Sequence, residues 1–157
     1  MEITENNMIE LTNVLSFRGK ITQRQAGDIT KQMKEIVDQS GAVKNGPMIT
    51  ATHSIDTNGA EPLMDIEMMI PLDRAVTVSA PFQLKPLFRL CNAVKIRHQG
   101  NPEKVQNTAK ELMEFIQSNK LTPVTPGYNV TMQEPKGPED MDNLIIDMYV
   151  GVSYNIL

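Results

Sequence analysis

The sequence predicts an α+β protein made of two tandem strand–helix–strand–strand (βαββ) units. Three observations carry that prediction. One element order occurs twice, matching positions keep an offset of about 80 residues, and the last strand of each half alternates between two faces.

In the first half, Thr12 to Lys20 reads as a strand ending near a glycine. Gln23 to Asp38 places Ile29, Met33, Ile36 and Val37 at the spacing of one helix face. Lys44–Asn45–Gly46–Pro47 breaks the chain, and Met48 to Ser54 is short and β-branched. After an Asn58–Gly59 turn, Leu63 to Leu72 reads as the second strand of a hairpin, ended by Pro71.

The second half repeats the order. Leu90 to His98 is strand-like, and Asn101–Pro102–Glu103 opens a helix carrying Val105, Ala109, Leu112, Met113 and Ile116. Pro123, Pro126 and Gly127 read as a break, Tyr128 to Gln133 as a strand, Pro135 to Pro138 as a loop and Asn143 to Val152 as the closing strand. Ile29, Met33 and Ile36 match Ala109, Met113 and Ile116. Ile49 matches Val130, Glu67 matches Asp147 and Pro71 matches Gly151. The whole chain, 1–157, is expected to be one domain: a first repeat at about 11–73, a link at 74–88 that could add a short strand at Val76 to Val78, and a second repeat at 89–155.

Alternation assigns the faces. Met64, Ile66, Met68 and Ile70, with Leu144, Ile146, Met148 and Val150, form an apolar face suited to packing under the helices. Asp65, Glu67 and Met69 lie on the other face in the first half; Ile145, Asp147 and Tyr149 do so in the second. Each closing strand therefore carries an acid on the side away from its helix.

Bulk properties exclude several functions. The 157 residues carry 15 Lys and Arg against 19 Asp and Glu, a net charge of −4 that does not suit a nucleic-acid binder. The charge is uneven: Lys85, Arg89, Lys95, Arg97 and Lys104 make the middle basic, and Glu134, Glu139, Asp140, Asp142 and Asp147 make the end acidic. This reads as solvated faces of opposite sign or as a steering patch. Cys91 is the only cysteine, which excludes an internal disulfide and a thiolate-rich metal site. No apolar run approaches the roughly 20 residues of a membrane span, and Met1 to Met8 is acidic and polar, unlike a signal peptide. A cytoplasmic protein without membrane contact is expected.

The order of a strand ending in Arg/His–Gly, an amphipathic helix, a Gly–Pro loop into a strand, and then Asp65-x-Glu67 with Pro71 resembles the gyrase-inhibitor-like (GyrI-like) domains. These also serve as effector-binding domains of bacterial transcription regulators, and the resemblance runs from about Leu11 to Tyr154. It implies two βαββ repeats joined into one antiparallel sheet, with helices on one face and a concave cleft on the other. That cleft is implied to bind small, often hydrophobic or cationic compounds, with a buried glutamate as counter-charge. Glu67 and Asp147 match the acidic position. The sequence departs from the family where Asn129–Val130–Thr131 replaces the usual Glu-x-Tyr, and where Thr50 or Thr52 replaces a tyrosine. No helix-turn-helix precedes the domain, which points away from a regulator role. The chain is also similar to an uncharacterised Gram-positive family found near type VII secretion toxins, which brings in a protein partner.

Candidate ligand-binding residues are Glu67, Asp147, Tyr149, Met69, Asp65, Thr50 and Thr131. The two acids read as counter-ions in an apolar cradle or as acids on an exposed sheet face. Asp65 and Glu67 could pair as acid and base, but the tyrosine of related hydrolases of strained rings is unmatched, so a binding protein is preferred to an enzyme. His53 and His98 lack metal-ligand spacing, and His98 is expected to end a strand with local hydrogen bonds. Cys91 is expected in the core, and Met64, Met68, Met69, Met132 and Met148 as sheet filling or an adaptable apolar surface. Glycine-rich phosphate loops are absent, so no cofactor is expected. The expected partner is a small apolar or cationic molecule or a protein, not nucleic acid or a membrane. A homodimer fits as well.

Overall fold

A computed structural model describes residues 2–156. The chain is α+β, in the order β1 (Ile3–Ile21), α1 (Gln23–Ser40), β2 (Ile49–Asp56), β3 (Leu63–Pro71), β4 (Phe82–Gln99), α2 (Val105–Ser118), β5 (Pro123–Gln133) and β6 (Ile145–Val152). A short 3-10 turn, Pro102–Lys104, precedes α2, and another, Pro138–Asn143, precedes β6. Two compact units divide the chain: Glu10–Arg89, and the residues up to Ile9 together with those from Leu90 onward.

In the Glu10–Arg89 unit, β3 pairs antiparallel with β1 on one side and with β2 on the other. Thr22 starts α1 with a capping box: its hydroxyl accepts from the Gln25 amide while the Gln25 side chain accepts from the Thr22 amide. Such a cap contributes about 1 kcal/mol. Gly41 ends the helix at φ 75°, a left-handed turn that suits glycine. Met33 and Val37 of α1 pack on Ile66, Met68 and Ile70 of β3 and on Leu15 and Phe17 of β1.

In the other unit, β6 pairs antiparallel with β4 and β5. Leu112 and Ile116 of α2 cover Val94 and Ile96 of β4 and Met148 and Val150 of β6. The apolar strand faces thus lie under the helices, as alternation requires.

Several details differ from the sequence reading. β1 begins at Ile3 rather than Thr12. The expected link contains β4 from Phe82, whose ring sits 6.0 Å from that of Phe17. Val76 to Val78 is not a strand, though Val76 and Val78 pack against the α1 core. Pro123, Pro126 and Gly127 do not break the chain: β5 starts at Pro123, and a register shift between Pro123 and Gly127 absorbs the intervening proline.

Two of the expected matches differ, one in strand pairing and one in burial. Ala51 and Val130, not Ile49, stand opposite the acids Glu67 and Asp147. Met33 is buried, whereas its expected match Met113 is exposed and Leu112 beside it is buried. Cys91 is exposed, because the inward positions of β4 are taken by Leu90, Ala93, Val94 and Ile96.

Candidate functional site

Each unit holds a buried acid in the middle of its closing strand, on the face away from its helix, and each acid meets a cation. Asp147 is 2% exposed. Arg97 stands directly across from it on β4 and grips it with two hydrogen bonds, Nε to Oδ1 at 2.7 Å and Nη2 to Oδ2 at 3.0 Å. Lys95 Nζ adds a contact to Oδ2 at 3.5 Å while lying 5.6 Å from the centre of the Tyr149 ring. Burial pushes the Asp147 carboxyl up, but the Arg97 hydrogen bond and the charges of Lys95 and Arg97 outweigh it, so the group lies below its ordinary value.

Glu67 is 6% exposed. Arg18 stands across from it on β1, the position Arg97 takes across from Asp147, and Arg18 hydrogen-bonds the neighbouring Asp65. The two closing strands differ at one nearby position. Where β3 has Asp65 two positions before its acid, β6 has Ile145, so Arg97 has no second carboxylate beside it on that strand. The Arg18 hydrogen bond holds the Asp65 carboxyl low. Lys85 of β4 occupies Glu67 instead, with Nζ 2.5 Å from Oε2.

His53 completes this cluster. The pairing of β2 with β3 jumps from Thr52↔Ile66 to Ser54↔Asp65, which makes His53 the extra residue of a bulge. The bulge aims its Nε2 at Glu67 Oε1, 3.8 Å away and beyond hydrogen-bond reach. That nitrogen is buried with no hydrogen-bond partner. The corresponding jump on β5 makes Met132 the extra residue, half-exposed and apolar.

The structure thus groups the expected residues unevenly. Glu67, Asp65 and Met69 share one face, with Met69 fully buried; Asp147 and Tyr149 share the corresponding face of β6. Thr50 and Thr131 do not join them. They stand across from Met68 and Ile146, on the helix-covered faces. Sequence reading missed Lys85, His53, Arg18, Lys95 and Arg97 as partners of the acids. The basic stretch supplies the counter-ions: Lys85 to Glu67, Arg89 to Glu10, and Lys95 and Arg97 to Asp147. The remaining histidine, His98, is buried and bonded locally, with Nδ1 2.7 Å from Thr108 Oγ1 and Nε2 3.0 Å from the Asn101 carbonyl.

Among the described residues no group of three or more His, Cys, Asp or Glu is placed to hold a metal ion, and no helix is long and apolar enough to cross a membrane.

No protein-family model matches the chain, and no curated protein sequence matches it. Solved structures do share its fold. The C-terminal domain of EcmrR superposes with a TM-score of 0.75 at 17% identity, covering 98% of this chain and 99% of that one. In the EcmrR–DNA complex the match has a TM-score of 0.74 at 17% identity and covers 96% of this chain, which spans 57% of that longer protein. A hydrolase from Listeria innocua matches with a TM-score of 0.64 at 13% identity over 97% of this chain and 92% of that one. SAV2435, solved bound to tetraphenylphosphonium, matches with a TM-score of 0.51 at 17% identity over 98% and 95% of the two chains. At these identities the likeness establishes a common fold.

Proposed function

We propose that this chain is a small-molecule-binding module of the GyrI-like kind, built from two βαββ repeats, that takes apolar or cationic compounds with Glu67 as the exchangeable counter-charge. One observation carries the reading. Of the two buried acids, Asp147 is clamped at both oxygens by a planar guanidinium, whereas Glu67 is held at one oxygen by Lys85, a flexible and partly exposed side chain. A cationic ligand can displace a lysine from a single point more readily than an arginine from a bidentate grip. The unpartnered Nε2 of His53 offers such a ligand a second polar anchor beside Glu67.

The fold shared with SAV2435 bound to tetraphenylphosphonium and with the EcmrR C-terminal domain supports a ligand-binding role. The fold shared with a hydrolase keeps an enzyme as the competing possibility, but Asp65 is held ionised by Arg18 and is poorly suited to donate a proton.

A second reading has the chain as a protein-interaction partner, such as an accessory protein of a type VII secretion toxin locus, with ligand binding lost. It is favoured by Lys85 and Arg97 already neutralising the acids, and by the complete burial of Met69.

A thermal-shift screen with tetraphenylphosphonium and other cationic aromatic compounds tests the proposal on wild type, Glu67→Gln and Asp147→Asn. Binding should raise the wild-type Tm, and Glu67→Gln should abolish the rise. A wild type that no compound stabilises, or a Glu67→Gln protein that responds as wild type does, refutes it.

A further inference from the structure

We infer that the residues around Arg97 form a second site, one that takes a small oxyanion such as a phosphate or carboxylate group. Two cations, Lys95 and Arg97, converge on the single buried carboxylate of Asp147. Asp147 cancels one of the two positive charges, and the exposed Glu2 is the second acid near them. Arg97 spends Nε and Nη2 on Asp147, so its Nη1 hydrogens remain for another acceptor, and the side chain is half-exposed. Lys95 spends one direction on Asp147 and has three donors.

The space beside these donors is a hollow of about 370 Å³ lined by Lys95, Arg97, Gln99, Thr4 and Glu2. The start of β1, which carries Thr4, is tied to β4. Asn7 Nδ2 donates to the Ala93 carbonyl of β4 at 3.2 Å, which holds the start of β1 beside β4. The same nitrogen donates to Thr4 Oγ1 at 3.1 Å and to the Thr4 carbonyl at 3.0 Å, and the Thr4 hydroxyl in turn donates to Asn7 Oδ1 at 3.5 Å, so Thr4 is tied to Asn7. Asn6 adopts φ 60°, in the left-handed region.

An ammonium, a guanidinium edge and an amide around one hollow match the lone pairs of a compact oxyanion, with charge-assisted bonds from the two cations. Glu2, exposed and among the lining residues, is the group that opposes an anion, and it gives the test its sign.

The test is a titration of the full chain with inorganic phosphate, and separately with acetate, at constant ionic strength set by sodium chloride. Amide chemical shifts of Thr4, Lys95, Arg97 and Gln99 are the readout. Saturable shifts with either oxyanion are expected. Lys95→Gln keeps the Arg97 clamp on Asp147, so it should stay folded, with an unchanged Tm, while weakening binding about tenfold. Glu2→Gln should tighten it about threefold. The inference is overturned if shifts never saturate, if added sodium chloride alone reproduces them, if Lys95→Gln binds as wild type does, or if Glu2→Gln weakens binding. The site does not involve Glu67, so Glu67→Gln should leave the phosphate titration unchanged.

Discussion

Cutting the Arg97–Asp147 pair from its two sides should have unequal costs. Asp147 is 2% exposed and Arg97 half-exposed, so the two partners have different access to water. Arg97→Met strands a buried carboxylate with Lys95 as its remaining cation at 3.5 Å. Breaking a buried pair in this way costs roughly 3–5 kcal/mol, and the retained lysine puts the expected loss near the lower end, about 3 kcal/mol. Asp147→Asn leaves Arg97 free to turn toward water and keeps a polar group in place, a loss of about 1 kcal/mol.

In a chain of this length those losses lower Tm by roughly 6–12 °C and 2–4 °C. Urea unfolding with a constant m-value is the assay. The pH dependence supplies a further check. The folded Asp147 carboxyl lies below its ordinary value, so its stabilisation is complete above that value and is lost as pH falls through the lowered one. Without Arg97 the acid protonates earlier in the folded protein, so the gap between wild type and Arg97→Met should narrow as pH falls from about 7 to about 4. Equal costs for the two variants, or a gap that stays constant with pH, would refute the reasoning.

Other consequences can be checked on the same protein. Thr108→Val leaves buried His98 Nδ1 without its 2.7 Å partner and should cost about 1–2 kcal/mol in urea unfolding. Gly151→Ala would put a Cβ 2.8 Å from both Leu90 Cδ1 and Thr125 Cγ2, and should cost about 1–3 kcal/mol. Gly27→Ala, on α1 with nothing within 4 Å, should instead stabilise by about 0.5–1 kcal/mol. Exposed Cys91 should react with a thiol reagent in the native protein at a rate close to that in urea; strong native protection would contradict its placement.

The sequence revealed what depends on one strand or helix at a time. The periodicity of Ile66, Met68 and Ile70 placed that face under a helix, and the same alternation put Glu67 and Asp147 on the opposite side. What it hid depends on register between strands distant in sequence. Nothing local indicates that Arg97 faces Asp147 or that Arg18 bonds Asp65, since both outcomes turn on cross-strand neighbours. The bulge at His53 was hidden for the same reason, as an extra residue exists only relative to a partner strand. Pro86 hid the start of β4 by resembling a loop signal inside an alternating run.

Removing the lysine that competes for Glu67 tests the exchange idea most directly. Calorimetric titration of tetraphenylphosphonium into Lys85→Met should give a Kd about tenfold lower than wild type, because the bound cation no longer displaces an internal one. A Lys85→Met protein that binds no tighter than wild type would contradict the account.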